Sequence, residues 1–461
     1  MSLLIKNGLV ILKDSAQITD ILIKDDVIER ISPNINITDV DIIDASGMIV
    51  SPGFVDTHRH LWQAAERGKF ADDTLWQYLA KHIMGNAMYY EAEDVYWCQL
   101  AGALEALDAG ITTIVDHAHI SLSPEHVEQG LKASVDSGLR ITYCLARQIF
   151  PAPEGKIETN EWQLDLIENL AKKDFGRVSM GIAHDLIYRL PHEAPKILEL
   201  SENYHMLITA HVVNNYHPGV ITRFAELNFI TPRLLISHAN GISENDIALL
   251  KSHDCGISST PETEMQMDLG APVGMQLYKV GCRVGLGVDG GAFQSGGLLS
   301  AMRLTLQQYR ASQIDLLHER GKIPTAMPAK CRDIFYLATQ GSARAMRAEN
   351  QLGSIEVGKK ADIVLFRTDT PNMLCADQVD PVSALVMHAQ VSDIDTVIVG
   401  GEILKRGGKL LKHDWSRIAR EVRKVKERVD ARMRESGIDW IQHTENMKRV
   451  MGWESRFENI L

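Results

Sequence analysis

No stretch of about 18 or more consecutive apolar residues occurs in this chain, so no helical membrane span is expected. The opening residues, Met1-Ser2-Leu3-Leu4-Ile5-Lys6, lack a basic segment followed by a long apolar core, and no secretory leader is expected either. Cysteine is sparse. Cys98, Cys144, Cys255, Cys282, Cys331 and Cys375 are widely spaced and make no Cys-x-x-Cys pair, so they read as buried reduced thiols of a cytoplasmic protein. Basic charge is in deficit, with 48 Lys and Arg against 60 Asp and Glu and a net charge of −12. That argues against nucleic acid or an anionic membrane as the main partner and leaves a small molecule. Low-complexity segments and internal repeats are absent as well.

What is present is bulk. The 461 residues are 45% hydrophobic, enough for a large α/β barrel with an accessory domain. Residues 1–51 read as short strands. Leu3-Leu4-Ile5 and Leu9-Val10-Ile11-Leu12 flank Asn7-Gly8, a hairpin-turn signal. The same texture returns late. Gly353 to Phe366 reads as two strands with a turn, and Val397 to Leu404 as a hairpin. Residues 1–51 and 353–410 are therefore expected to form one small β-sandwich, with a catalytic domain, 52–352, inserted between them. In that insert, eight strand-like runs end at His60, at His119, near Arg147, and at His184, His211, His238, Pro261 and Asp289. Helical stretches separate them, which is the rhythm of a (β/α)8 TIM barrel whose chemistry sits at the C-terminal strand ends. Residues 411–461 are expected to be helical, with Ile418, Val422, Val425, Val429 and Met433 on one face packed on the body or on another subunit.

The chemistry concentrates at the strand ends. His58 and His60, two apart on the first strand, point to one side and can converge on an ion. With His211 and Asp289 they offer three imidazoles and a carboxylate, a set suited to one divalent ion, Zn first, with Fe or Mn as alternatives. Such an ion lowers the pKa of a bound water toward ~7. Asp289 then carries the water proton to the leaving group, and His238 acts as a donor beside it.

Several longer motifs accompany these residues: Pro52-Gly53-Phe54-Val55-Asp56-Thr57-His58-Arg59-His60, Gly110 to Asp116, Ser237-His238-Ala239 with Glu244, Ala271-Pro272-Val273, Gly285 to Gly290, and Gly353…Gly358-Lys359-Lys360-Ala361-Asp362. Together they resemble the amidohydrolase superfamily, in the branch of the cytosine, guanine and S-adenosylhomocysteine deaminases and the s-triazine hydrolases. The resemblance covers nearly the whole chain. It implies that His58, His60, His211 and Asp289 bind one metal, that His238 faces the hydrated site, and that the protein is a homodimer or larger homo-oligomer. His184 stands where two-metal relatives carry a carboxylated lysine, so a mononuclear site is implied.

One departure bears on substrate. The deaminase branch usually has His-x-x-Glu, whose Glu protonates a ring nitrogen. Here the segment is His211-Val212-Val213-Asn214, and Asn carries no proton. The reading that follows is hydrolysis of a non-aromatic C–N bond (amide, urea, carbamate or thiocarbamate), as in the phenylurea and thiocarbamate herbicide hydrolases of the same superfamily. The alternative is an aminohydrolase of a nucleobase, purine-like or s-triazine ring, with Glu262 or Glu264 of Pro261-Glu262-Thr263-Glu264 as stand-in acid. A non-catalytic scaffold is a third reading, which the intact set of candidate ligands opposes. Asn214, His184, Arg147 with Gln148, Trp62 with Gln63 and Trp76, Glu262 and Glu264 are candidate substrate contacts. His117-Ala118-His119 is a second His-x-His, at a strand where the family places no ligands, and reads as pocket lining. The run Gly285 to Gly291 lacks the Lys-Ser/Thr of a P-loop and the spacing of a dinucleotide site. The His-x-Glu…Pro-Cys-x-x-Cys signature of the zinc deaminases acting on nucleic acids is absent.

Overall fold

The strand Met48–Pro52 carries the chain from one sheet into another. In the computed structural model, which describes residues 2–147 and 160–451, it pairs with Ile363–Arg367, antiparallel, and so joins the two ends of the chain. Around that pair a mixed sheet of nine strands forms. Ser2–Ile11, Ala16–Lys24, Val27–Ser32 and Asp41–Asp44 come from the N-terminal side, and Ile394–Val399, Glu402–Arg406 and Lys409–Leu410 from the C-terminal side. Its core is aliphatic, with Ile5, Val10, Ile21, Ile23, Val50, Ile363, Leu365 and Ile398 buried together.

Two turn signals are used differently from their sequence reading. Asn7-Gly8 does not reverse the chain; Ser2–Ile11 runs through it as one strand against Ala16–Lys24. The register slips between Ile5 and Gly8, and Asn7 sits at φ 61° with its N–H donated to Asp20. The pair makes a bulge, and the reversal falls at Leu12 to Ser15. Likewise, only Ile363–Arg367 of the 353–366 region is a strand. The residues before it turn at Gly353 and Gly358, both with positive φ, and dock on Val27 and Ile28 through Lys359, Lys360 and Gly358.

The inserted region is a parallel β/α barrel. Its strands are Phe54–His60, Ile111–Ala118, Arg140–Ala146, Val178–Ala183, Ile208–Val213, Leu234–Asn240, Gly256–Ser259 and a split eighth, Arg283–Leu286 with Asp289–Gly290. Nearly every residue of these strands is buried, as strands covered on both faces require. The ring closes through the split strand. Arg283–Leu286 pairs with the seventh strand, and Asp289–Gly290 steps across to the first, Asp289 opposite Arg59.

The helix Trp415–Glu435 packs on the barrel helix Ala92–Asp108. Ile418, Val425 and Val429 are buried, while Val422 and Met433 are half-buried against the same core. Arg428 and Arg432 both bind the buried Asp94 carboxylate, so this face belongs to the body of the same chain. No helix among the described residues is long and apolar enough to cross a membrane. All six cysteines are free thiols, four of them buried; Cys331 is half-buried, and Cys375 departs from the expectation by being exposed in a turn.

Candidate metal centre

Four imidazoles and one carboxylate meet at the C-terminal mouth of the barrel. His58 and His60 end the first strand with ring centroids 4.8 Å apart. His58 Nε2 lies 3.1 Å from His211 Nε2 and 3.4 Å from Asp289 Oδ1. His60 Nε2 lies 3.1 Å from the same Oδ1, and His238 Nε2 is 4.0 Å from Oδ2. Each ring is fixed from behind through Nδ1. His58 meets Ser237 Oγ at 2.8 Å, His60 the backbone oxygen of His117 at 2.8 Å, His211 Asp185 Oδ1 at 2.9 Å, and His238 Thr260 Oγ1 at 2.8 Å.

These second partners test whether an ion fits. A carbonyl oxygen only accepts, so His60 Nδ1 carries the proton and His60 Nε2 presents a lone pair. The same holds for His211 against the Asp185 carboxylate. Lone pairs and a carboxylate oxygen then face one another at little more than 3 Å. That arrangement is repulsive unless a cation joins them, and rings braced through Nδ1 are how metal-ligating histidines are oriented. The residues therefore fit a divalent ion.

The backbone is bent to deliver two of these groups. His238 and Ala239 sit at φ 76° and 64°, where the register between the fifth and sixth strands slips by one residue. Asp289 sits at φ 73°. Left-handed backbone at non-glycine residues costs of order 1–3 kcal/mol each and gathers at functional sites. Just before Asp289 the chain passes against the first strand, where a Cβ on Gly287 would lie 2.9 Å from the His58 carbonyl. Only glycine permits that approach, and Val288 N–H then donates to the buried Asp56.

The other residues singled out in the sequence have separate fates. Arg147 is buried and does not reach into the mouth. Its guanidinium is held bidentately by Glu193, at 3.0 and 2.6 Å, and also donates to Gln163 and the Asn160 backbone. His184 Nε2 lies 3.0 Å from the same Glu193. Asn214 spends its amide on the loop, donating to Gly241 O and accepting from Gly219 N–H, both at 2.8 Å. Glu262 is half-buried and accepts from Ser295. Glu264 is fully buried and accepts from Thr260 N–H at 2.6 Å and Ser259 Oγ at 3.1 Å. Burial, with the Asp289 charge adding, pushes its carboxyl up to about 8. Trp62 is buried and stacks on His82, Gln63 donates to Tyr78 at 2.5 Å, and Trp76 is buried near Ala80. Gln148 lies outside the described residues.

His117 and His119 do reach the site. His119 stacks on His60 at 3.9 Å, and His117 Nε2 lies 3.4 Å from Asp185 Oδ2. Asp185, Thr260 and Glu193 were not singled out in the sequence, and Ser237 stood there only as part of the Ser237-His238-Ala239 motif. Asp185 carried a signal, a carboxylate two residues past the end of a barrel strand. Glu193 carried none, since it lies in a short turn after that strand.

A β/α barrel with convergent histidines and an aspartate at its mouth defines a class of hydrolase scaffold. Residues 49–404 match the model of the Amidohydrolase family, and the chain belongs to that family. It is a hydrolase acting on carbon–nitrogen bonds. Among curated relatives, it is 27% identical to a 5-methylthioadenosine/S-adenosylhomocysteine deaminase of Desulforudis audaxviator over 401 residues, 84% of this chain and 89% of that protein. It is 28% identical to a 5'-deoxyadenosine deaminase of Methanosarcina acetivorans, covering 89% and 94%. Among solved structures, it resembles a zinc-complexed atrazine chlorohydrolase of Arthrobacter aurescens with TM-score 0.80 and 20% identity, covering 92% and 100%. It also resembles a zinc-bound adenosine deaminase of Xanthomonas campestris with TM-score 0.79 and 18% identity, covering 93% and 98%.

Proposed function

We propose that the protein is a mononuclear metal-dependent amidohydrolase that cleaves a non-aromatic C–N bond, of the amide, urea or carbamate kind, in a small organic molecule. His58, His60, His211 and Asp289 would hold the ion, zinc by analogy with the zinc-bound neighbours, with iron or manganese as alternatives. When bound, the ion supplies Lewis acidity to a water and to the substrate carbonyl. The rest is done by side chains. The two oxygens of Asp289 face different partners, Oδ1 toward His58 and His60 and Oδ2 toward His238. A carboxylate is ordinarily ionised at neutral pH, so Asp289 is available there as a base. It takes the water proton as the water oxygen adds to the carbonyl carbon, and returns it to the nitrogen as the C–N bond breaks. Burial brings His238 down to about 3, so it is neutral. With the Thr260 hydroxyl donating to Nδ1, His238 Nε2–H can donate to the developing oxyanion.

The observation that carries this reading is Asn214, at the position of the expected ring-protonating acid, with both ends of its amide bound to backbone. A second reading, deamination of an adenosine-like or triazine ring, is supported by the curated relatives and by Glu264, whose raised pKa keeps a proton beside the site at neutral pH. A metal assay, combined with a panel of ureas, carbamates, amides, adenosine derivatives and aminotriazines, separates them. Turnover of a urea, amide or carbamate without ammonia from any aromatic amine supports the first. Ammonia from an aromatic amine, lost in Glu264→Gln, supports the second. The proposal also includes a cytoplasmic location, in keeping with the six free thiols, and a homodimer or larger homo-oligomer, as the family resemblance implies.

A further inference from the structure

Beside the candidate ligands stands one ring with an unspent donor. His119 stacks on His60 at 3.9 Å with planes 27° apart, so anything seated at the metal centre borders it. Its Nδ1 lies 3.0 Å from Trp62 Nε1. An indole N–H only donates. His119 Nδ1 is therefore the acceptor, and the ring proton sits on Nε2. Trp62 has no freedom to change this. It is fully buried, stacked on His82 at 4.8 Å and edge-on to Tyr90 at 5.2 Å. The His82 ring is held in turn by Asn86 Oδ1 at 2.5 Å. His119 itself is only half-buried, and among the described residues nothing accepts from its Nε2. An oriented N–H with no acceptor among the described residues, on a ring packed against a candidate ligand, is a recognition element without an occupant in the protein.

We propose that His119 is a specificity-determining residue whose Nε2–H, fixed in that tautomer by Trp62, donates a hydrogen bond to an acceptor next to the scissile C–N bond of the substrate. The acceptor is a carbonyl oxygen or an sp² nitrogen. Trp62 is the positioning residue and acts through His119. The inference rests on the C–N hydrolase reading for its substrate class, but not for the tautomer.

Two measurements on the zinc-loaded full chain test it. In long-range 1H–15N spectra of ring-labelled histidine, the signal missing from His119→Phe identifies His119. It should show a protonated Nε2 and a bare Nδ1, and Trp62→Phe should convert it to a tautomer mixture. An Nδ1–H tautomer in the parent overturns the inference. In kinetics with the best-hydrolysed compound of the panel, His119→Phe keeps the flat ring and removes the donor. It should lose roughly 100-fold in kcat/KM, in the range seen when one preorganised donor is removed, with zinc content unchanged. His119→Gln places an amide N–H near the same position and should recover most of the loss. An analogue with C–H in place of the acceptor should be as poor for the parent as for His119→Phe. Parental kcat/KM in His119→Phe overturns the inference. No turnover of any compound by the parent overturns the functional reading instead, and that outcome is distinguishable from the other two.

Discussion

Two walls face each other across the barrel mouth, and they spend their polar groups in opposite ways. On the wall of strands three to five, charges close on one another. Arg147 is locked on Glu193, His184 on the same carboxylate, and Asp185 on His211 and His117. On the wall of strands one and two, neutral rings are layered, His82 on Trp62 and His119 on His60, joined by the indole hydrogen bond. The charged wall has the residues that look suited to binding a substrate, yet their valences are consumed. The neutral wall keeps a donor open. Proximity to a site and availability to a ligand are different properties, and hydrogen-bond accounting separates them.

The comparison can be broken in four places. The largest effect belongs where the walls meet. Asp289→Ala removes a candidate ligand and the proton carrier together, and kcat should fall by roughly 10⁴-fold, the upper range for losing an acid–base group, with metal content reduced; parental turnover would sink its role. Next comes the charged wall as a structural unit. Glu193→Gln leaves the buried Arg147 guanidinium without its carboxylate, a change worth about 3–5 kcal/mol for a buried pair, and should lower Tm far more than it lowers metal content.

The same pair predicts an acid limb. Burial alone would raise the Glu193 carboxyl, but His184 and Arg147 bring it down to about 2. Its pKa is depressed in the folded state, so its contribution is present above the unfolded value of about 4.3. It is lost as pH falls from there through about 2. Thermal melts across that window should slope in the parent and flatten in Glu193→Gln.

Smaller still is Asp185→Asn, which weakens the brace on His211. Zinc affinity should drop about 10- to 100-fold, as for other outer partners of ligating histidines, read by competition with a chelator. Smallest is Asn214→Ala. Losing two loop hydrogen bonds should cost about 1–2 kcal/mol of stability and leave kcat alone, and a large kcat defect would mean that the side chain meets substrate after all.

The barrel and its histidines were legible because both follow from local pattern. Apolar runs bounded by polar residues mark strands, and two histidines spaced by the strand period must share a face. The bracing layer was not legible, because it depends on which strand ends lie side by side. Nothing local to Asp185 says that it will sit under His211. Arg147 misled for the same reason: its neutraliser lies in a turn with no pattern of its own. Asn7-Gly8 misled differently, since the dipeptide encodes a left-handed backbone and both a hairpin and a bulge use one. Asn214 was visible as a departure, but its bonds to Gly219 and Gly241 were not.

The split eighth strand has a further consequence. Asp289 pairs through its backbone with Arg59, the residue between His58 and His60. The seam that closes the barrel therefore runs through the candidate metal centre. Bringing the last strand to the first carries a loop-closure entropy spanning the whole barrel. An ion held by the proposed ligands would be gripped from both sides of the seam, and its binding free energy would add to the stability of the closed ring. Chemistry and topology are fastened at one point.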